Sequence, residues 1–299
     1  MEPLVYIVII NYNNYEDTIE CINSLREISY KNYKIVVVDN NSANQSVDIL
    51  NNAFLDVEIV QAGKNLGFAG GCNIGINLAL ENRAEYVLLI NNDTVVDKDF
   101  LAEMISSFKN NNSVGIVGGK IYNYYNKNLI DSAGGYVDFF RFVTVNYSVS
   151  QEIPRCEQEA DYISGCLMLI KTEIFHKVGV LPEEYFMYYE DTDFCVKVKE
   201  SGYKILCNSR AIIYHKISKS SGGESSSFAI KYNVRNRLIF MRKYKYKISK
   251  IKYFAALLYF YITRFVRIIL YFIKGDTDRA NAIIEGIKEG KNFIKRKAS

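Results

Sequence analysis

"EYVLLINNDTVV" (85–96) runs from an unbroken apolar segment directly into Asn91, Asn92 and Asp93. A short apolar run of this kind suits a strand buried on both faces, as in parallel sheets. Three comparable runs precede it: "LVYIVII" (4–10), "YKIVVVD" (33–39) and "VEIVQA" (57–62). The intervening segments, about 16–27, 45–53 and 71–82, read as helices. In the last, "GCNIGINLALEN", Ile74 and Leu78 and the pair Ile76/Leu80 fall at helical spacing. This strand–helix alternation predicts a doubly wound α/β sheet. Ligands on such sheets sit at the carboxyl ends of strands. The groups that close strands are therefore the ones to watch: Asn11–Tyr12–Asn13, Asp39–Asn40–Asn41 and Asn91–Asn92–Asp93.

The chain has 299 residues, 49% of them apolar and 14% aromatic, which suits a substantial core and argues against disorder. Charge is unevenly spread. Residues 1–230 carry 19 Lys+Arg against 29 Asp+Glu, whereas residues 231–299 carry 18 against 4. A mildly acidic body with a basic tail points the tail at something anionic, membrane or nucleic acid. The tail's long apolar run fits lipid better than nucleic acid. Six cysteines (21, 72, 156, 166, 195 and 207) form no CxxC pair and have no histidine at zinc spacing. They read as reduced, mostly buried thiols of a cytosolic protein. The N-terminal apolar run lacks a basic flank and reads as a first strand, not a signal peptide.

Beyond residue 113, "VGIVGGKIY" and "DYISGCLMLIK" read as strands and "DSAGGYVD" as a turn. The predicted organisation is an α/β domain over 1–217, with halves at about 1–112 and 113–217. A flexible loop over 218–230 contains the Ser/Gly-rich "SKSSGGESSS", and a basic amphipathic helical region covers 231–299. Within that region, "YFAALLYFYITRFVRIILYFI" (253–273) is just long enough to span a bilayer. Arg264 and Arg267 each cost about 2.5–3.5 kcal/mol at the bilayer centre, against about 0.3–0.6 returned per strongly apolar residue. Arg264, Arg267, Tyr271 and Lys274 share one helical face; Ile251, Leu258, Ile262, Phe265, Ile269 and Ile273 lie on or near the opposite one. A helix lying in the membrane surface fits this division better than a span. The rival is a core-packed helix whose arginines reach water.

Each candidate chemical residue has two readings when taken alone. Asp93 is either a turn residue or a hard-oxygen ligand to a divalent cation bridging a nucleotide diphosphate, with Asn92 on the ribose. Asp39 either shapes a turn or accepts from a nucleoside, as strand-end acids do, with Tyr12 offering a stacking face. "GKNLGFAGGCNIGI" (63–76) is neither a Walker A sequence nor a GxGxxG fingerprint. Its Gly67, Gly70 and Gly71 would still let backbone approach a ligand and open a helix N-terminus toward it. "MYYEDTDFCVKVKESG" (187–202) places Glu190, Asp191 and Asp193 before a short amphipathic helix with Phe194 and Val198 inward and Gly202 past its end. Asp193 and Lys197 read as an exposed i,i+4 pair. Asp191 sits where a helix N-terminus keeps a carboxylate ionised.

In order, these segments resemble glycosyltransferase family 2 with its GT-A fold, a Rossmann-like mixed α/β sheet flanked by helices. The matching stretches are "VIINYNNYEDTIECINSL", "VVVDNNS", "NLGFAGGCNIGI", "LLINNDT", "DSAGG", "ISGCLMLIKTEIFHKVG", "EEYFMYYEDTDFCVKVKESGYKI", "AIIYHK" and "KYNVRNRLIFMRKY", together covering about residues 4–245. "NNDT" and "YYEDTDF" look closest to the bacterial rhamnosyltransferase-like branch. One departure is that Asn91 stands where the family's Asp-x-Asp metal motif has its first Asp. The resemblance implies that Tyr12, Asp39, Asn41, Gly67, Asn73, Asn91, Asn92, Asp93 and Arg235 bind the nucleotide sugar. It further implies that Asp93 and His215 lie at a divalent metal (Mg2+ or Mn2+) and that Asp191 is the catalytic base. Gly165, Tyr188, Tyr189 and Glu190 fall on the acceptor side. His176 has no such match and is read as structural. Arg235 would reach the diphosphate or a lipid-linked acceptor, or else belong to a solvated basic helix beside lipid.

The expected enzyme is an inverting, cytoplasmic, inner-face peripheral glycosyltransferase with a dTDP- or UDP-sugar donor, dTDP-rhamnose foremost. The expected acceptor is a glycan or polyprenyl-diphosphate-linked glycan in polysaccharide synthesis at an anionic membrane, with no nucleic acid involved. Within the fold, a sugar transferase to polyprenyl phosphate is the alternative. A nucleotidyltransferase would need a Gly-rich basic loop after the first strand, which Asn11–Asn14 does not supply. A non-catalytic glycan-binding or membrane scaffold would have no use for the strand-end acids.

Overall fold

The computed structural model describes residues 2–109, 111–147, 157–216 and 225–297. The first part alternates as the periodicity predicts: β1 (Val5–Asn11), α1 (Tyr15–Arg26), β2 (Tyr33–Asp39), α2 (Ser46–Ala53), β3 (Glu58–Gln61), α3 (Gly67–Glu81) and β4 (Tyr86–Asn91). A short β5 (Thr94–Val96) and α4 (Phe100–Ser106) lead to β6 (Val114–Asn123), β7 (Ile130–Ser132), β8 (Gly135–Asp138) and β9 (Val143–Asn146). Then come β10 (Glu157–Ala160), β11 (Leu167–Lys171), α5 (Thr172–Val178), α6 (Glu190–Glu200) and β12 (Lys204–His215). Three helices follow, α7 (Ser227–Lys243), α8 (Lys250–Ile273) and α9 (Thr277–Arg296). Most of the Ser/Gly-rich stretch, 218–224, lies outside the described residues.

The main sheet has the order β10-β12-β6-β11-β4-β1-β2-β3, with β5 on β12 and β7 on β6. β1, β2, β3 and β4 run parallel, while β11 runs antiparallel between β4 and β6, so the sheet is mixed. Strand order reverses at β1, whose neighbours are β2 on one side and β4 on the other. That is the switch point where open α/β sheets leave a crevice beyond the strand ends. Register lines up the ends: Asn11 opposite Asp39, and Ile10 opposite Asn91. The central strands are buried on both faces (Val5–Ile9, Val36–Val38 and Val87–Ile90), which explains their unbroken apolar character.

The chain packs as two compact units. The first holds the main sheet. The second comprises residues 137–145, 187–189 and 218–299. Inside the second unit, α9 lies close against α7 because Gly286 and Gly290 have no side chains to hold them apart. A Cβ on Gly286 would sit 2.6 Å from Lys231 O, and one on Gly290 would sit 3.0 Å from Arg235 O. An aromatic cluster of Phe139, Phe142, Tyr189, Phe240 and Tyr244 fills its centre.

α8 buries only Ala256 and Phe260. Ile251, Leu258, Ile262, Phe265, Ile269 and Ile273 are all exposed, with Ile251 at 83% and Ile273 at 76%. Among the described residues, this face is not packed into a core. Its arginine face does not simply meet water. Arg264 is half-buried with its guanidinium 5.0 Å from the Phe260 ring centre, and burial depresses its pKa to about 10.

Candidate active site

The strand-end groups do converge, but they are tied largely to each other. Asp39 is buried at the end of β2. Its Oδ2 accepts from Asn11 Nδ2 at 2.7 Å and Ser42 Oγ at 2.6 Å, and its Oδ1 accepts from Ser42 N at 2.9 Å. Asn13 and Asn41 take φ of 55° and 65°, a left-handed state that Asn tolerates better than most residues. Asn13 Oδ1 accepts from Ala43 N at 2.7 Å, lacing the two loops together. Tyr12 and Asn41 face outward on this braced edge. Asn40, one of the strand-closing residues, links the edge to the 65–67 turn: its Nδ2 donates to Gly67 O at 3.0 Å, and its Oδ1 accepts from Leu66 N at 2.9 Å.

Two residues expected against the donor are engaged by the protein. Asn92 donates its amide to Asn14 O at 3.1 Å and Thr18 Oγ1 at 2.9 Å, fastening the β4 end to α1. Asn73 is buried and donates to Leu181 O and Glu183 Oε1, each at 2.9 Å, while accepting from Leu181 N at 3.0 Å. Its polar atoms hold the 181–183 segment. Gly67 is required for a similar reason. Its φ is 71°, and a Cβ would lie 2.1 Å from Phe186 O. The close approach is to the protein's own backbone.

Beyond β4, Asp93 Oδ1 lies 3.1 Å from His215 Nε2, and Asn91 Nδ2 lies 3.3 Å from the same nitrogen. β5–β12 pairing creates this meeting by setting His215 opposite Thr94. Burial disfavours the charged imidazole, yet Cys166 and Asp93 outweigh it and raise the His215 pKa to about 11. A buried carboxylate facing an imidazole nitrogen at this distance is held together by a shared proton, the place a cation can take. Among the described residues, no three His, Cys, Asp or Glu side chains gather as a cation site. Asp93 and His215 pair one carboxylate oxygen with one imidazole nitrogen, a donor set that would suit a divalent cation drawing its remaining ligands from phosphate and water.

Asp191 occupies the first turn of α6 and is half-buried. Its Oδ2 accepts from Tyr162 Oη at 3.0 Å and from Gly165 N at 3.1 Å; its Oδ1 accepts from Thr192 N at 2.7 Å. Burial raises its pKa while these donors, which favour the ionised form, pull the other way. Gly165 is thereby placed beside the carboxylate, and a Cβ there would meet the Phe68 ring at 2.9 Å. Glu190 is buried, and its Oε2 has no hydrogen-bond partner among the described residues. Burial and then the Asp191 charge push its pKa well up.

Asp193 overturns the surface reading. It is fully buried, and its Oδ2 accepts from the buried Tyr185 hydroxyl at 2.8 Å; Lys197 stands 3.6 Å from its Oδ1. Tyr189 donates to Phe142 O at 3.0 Å, and the Tyr188 carbonyl accepts from Asn236. Arg235 lies on α7, where its guanidinium bonds Asn236 and sits 5.5 Å from the Phe293 ring centre and 3.9 Å from Glu289. Tyr162 and Asn236 are the important polar groups that periodicity and motif order did not single out. For Tyr162 the available signal was its place three residues before Gly165.

The mixed sheet flanked by helices, with its strand order reversing at β1, has the GT-A architecture. The profile of Glycosyl transferase family 2 matches residues 6–179. The chain belongs to this family and is a glycosyltransferase of glycan biosynthesis that uses a nucleotide-sugar donor. It is 26% identical over 238 residues to a low-salt glycan biosynthesis hexosyltransferase of Haloferax volcanii, covering 78% of this chain and 74% of that one. It is 25% identical over 211 residues to a dTDP-rhamnosyl transferase of Shigella flexneri, covering 68% and 65%. Its fold is shared with a mannosyltransferase from Pyrobaculum calidifontis in complex with GDP-Man and Mn2+, with a TM-score of 0.61, 14% identity and coverage of 97% and 87%.

Proposed function

We propose that the enzyme is an inverting transferase that moves a sugar, foremost rhamnose from dTDP-rhamnose, onto a hydroxyl of a glycan carried on polyprenyl diphosphate. The observation that carries this reading is the Asp191 carboxylate, fixed by Tyr162, Gly165 and Thr192 yet still partly accessible at a helix start. An acceptor hydroxyl is a weak nucleophile until its proton leaves during attack. Asp191 takes that proton as the acceptor oxygen bonds the anomeric carbon and the bond from that carbon to the diphosphate oxygen breaks. One base and one displacement invert the centre, and no covalent sugar–enzyme intermediate is needed. Tyr12 and Asn41 line the nucleoside edge, with Asp39 bracing it.

Asp93 and His215 would hold a divalent cation, Mg2+ or Mn2+. When bound, it supplies positive charge to the departing diphosphate. The dTDP-rhamnosyl transferase relative supports the choice of donor, and the exposed apolar face of α8 beside the basic residues of the tail supports an anionic membrane on the cytoplasmic side as the working surface. The test is a donor screen covering dTDP-rhamnose and UDP-sugars with Mg2+ or Mn2+, following nucleoside diphosphate release. Release from dTDP-rhamnose alone supports the reading. Release only from a UDP-sugar moves the enzyme to another donor, and transfer directly to polyprenyl phosphate moves it to another acceptor.

A further inference from the structure

The residues leading into α6 follow an unusual path. Phe186, Tyr188 and Tyr189 have φ of 65°, 68° and 75°. This is the left-handed region that side chains with a Cβ rarely adopt. Bulky aromatics persist there only where their surroundings over-determine them. One anchor is Phe186 O, which accepts from Phe68 N at 2.7 Å. The other comes from α7. Asn236, fully buried, donates its amide nitrogen to Met187 O at 2.8 Å and to Tyr188 O at 2.9 Å. Its side-chain oxygen accepts from the Arg235 guanidinium, so turning the amide over would break all of these bonds at once. The Tyr189 ring packs 5.4 Å from the Phe240 ring centre.

We propose that Asn236 is a positioning residue for sugar transfer: by gripping the carbonyls of Met187 and Tyr188 it holds the left-handed strap from which Asp191 projects. The inference rests on Asp191 being the base. Glu190 and Asp191 directly follow the strap, and the two bonds that Asp191 Oδ2 accepts, at 3.0 and 3.1 Å, come from elsewhere in the fold. If the strap relaxed to an ordinary φ, the peptide planes ahead of α6 would turn and the first helical turn would move with them. Asp191 would then part from Tyr162 and Gly165. Glu190 and Cys195 on the same helix, Cys72 on α3 and Tyr162 are the titratable groups that face it.

Asn236→Asp tests this with little change in volume, because it keeps an oxygen toward Arg235 but turns a second oxygen, not a donor, toward the two carbonyls. Asn236→Ala removes every bond and is measured beside it. In hydrogen–deuterium exchange of the full chain, amides of 186–192 should exchange faster in both variants while those of β1 and β4 stay as in wild type. With dTDP-rhamnose, or whichever screened donor the wild type turns over, kcat should fall about a hundredfold, the loss expected of a misplacement near 1 Å. Donor KM should stay within about twofold, as a defect confined to orientation requires. The acidic limb of the rate profile should move to higher pH, because Asp191 loses donors that favour its charged form. Unchanged exchange at 186–192, an unmoved limb, or a KM rising as much as kcat falls would overturn the proposal. Asp191→Asn is run alongside. Wild-type turnover by that variant would sink the base assignment alone, and the exchange data would still decide the Asn236 grip.

Discussion

The Tyr162 hydroxyl donates to Asp191 Oδ2 at 3.0 Å, and burial keeps the Tyr162 phenol protonated by pushing its pKa well up. The pair therefore has one direction: Tyr162 gives and Asp191 accepts. Tyr162→Phe removes a bond that favours the carboxylate. Its kcat/KM should fall about tenfold, a loss of about 1.4 kcal/mol, and the acidic limb should shift to higher pH. A limb that stays put would show that Tyr162 does not act on the base.

Glu190 gives a pH dependence of stability. Its folded pKa is raised, by burial first and by Asp191 second. The folded state therefore holds a proton that the unfolded chain releases above its ordinary carboxyl range. Stability must fall as pH climbs from that range toward the folded value. Glu190→Gln removes this slope. Urea unfolding at pH 5 and pH 8 should show the wild type losing stability relative to the variant between the two, and parallel changes would contradict the assignment.

Gly67→Ala meets both a left-handed backbone and a 2.1 Å approach to Phe186 O. The backbone state alone costs about 1–3 kcal/mol. Urea unfolding should show at least that loss, and wild-type stability would mean the turn relaxes freely.

Ile262 and Phe265 stand 53% and 64% exposed on α8. Replacing both by Lys should weaken sedimentation with phosphatidylserine-containing vesicles while leaving dTDP binding intact. Undiminished vesicle binding would place the contact elsewhere.

Much of this fold was legible because buried parallel strands leave a continuous apolar trace and because Asn and Asp cluster where such strands end. The helix limits over 16–27, 45–53 and 71–82 held to within a few residues at α1, α2 and α3, with α3 starting earlier, at Gly67, inside the glycine-rich turn. What the strand-end residues touch was less legible. Asp39, Asn92 and Asn73 present the same side chains whether they face a ligand or a neighbouring loop, and only the tertiary structure shows them bonded to Ser42, Thr18 and Leu181. Asp193 misled for a related reason. Helical spacing relates it to Lys197, but Tyr185 reaches it from outside that helix. The left-handed strap leaves no compositional mark, because it is built from Phe and Tyr and not from Gly or Asn.

The central claim is that Asp191 removes the acceptor's proton. The most direct measurement is the turnover of Asp191→Asn, with nucleotide binding followed separately by dTDP titration. Loss of a positioned base lowers the rate about 10²–10⁴-fold, so kcat should fall by that factor with nucleotide affinity unchanged. Turnover equal to wild type by the Asn variant would contradict it.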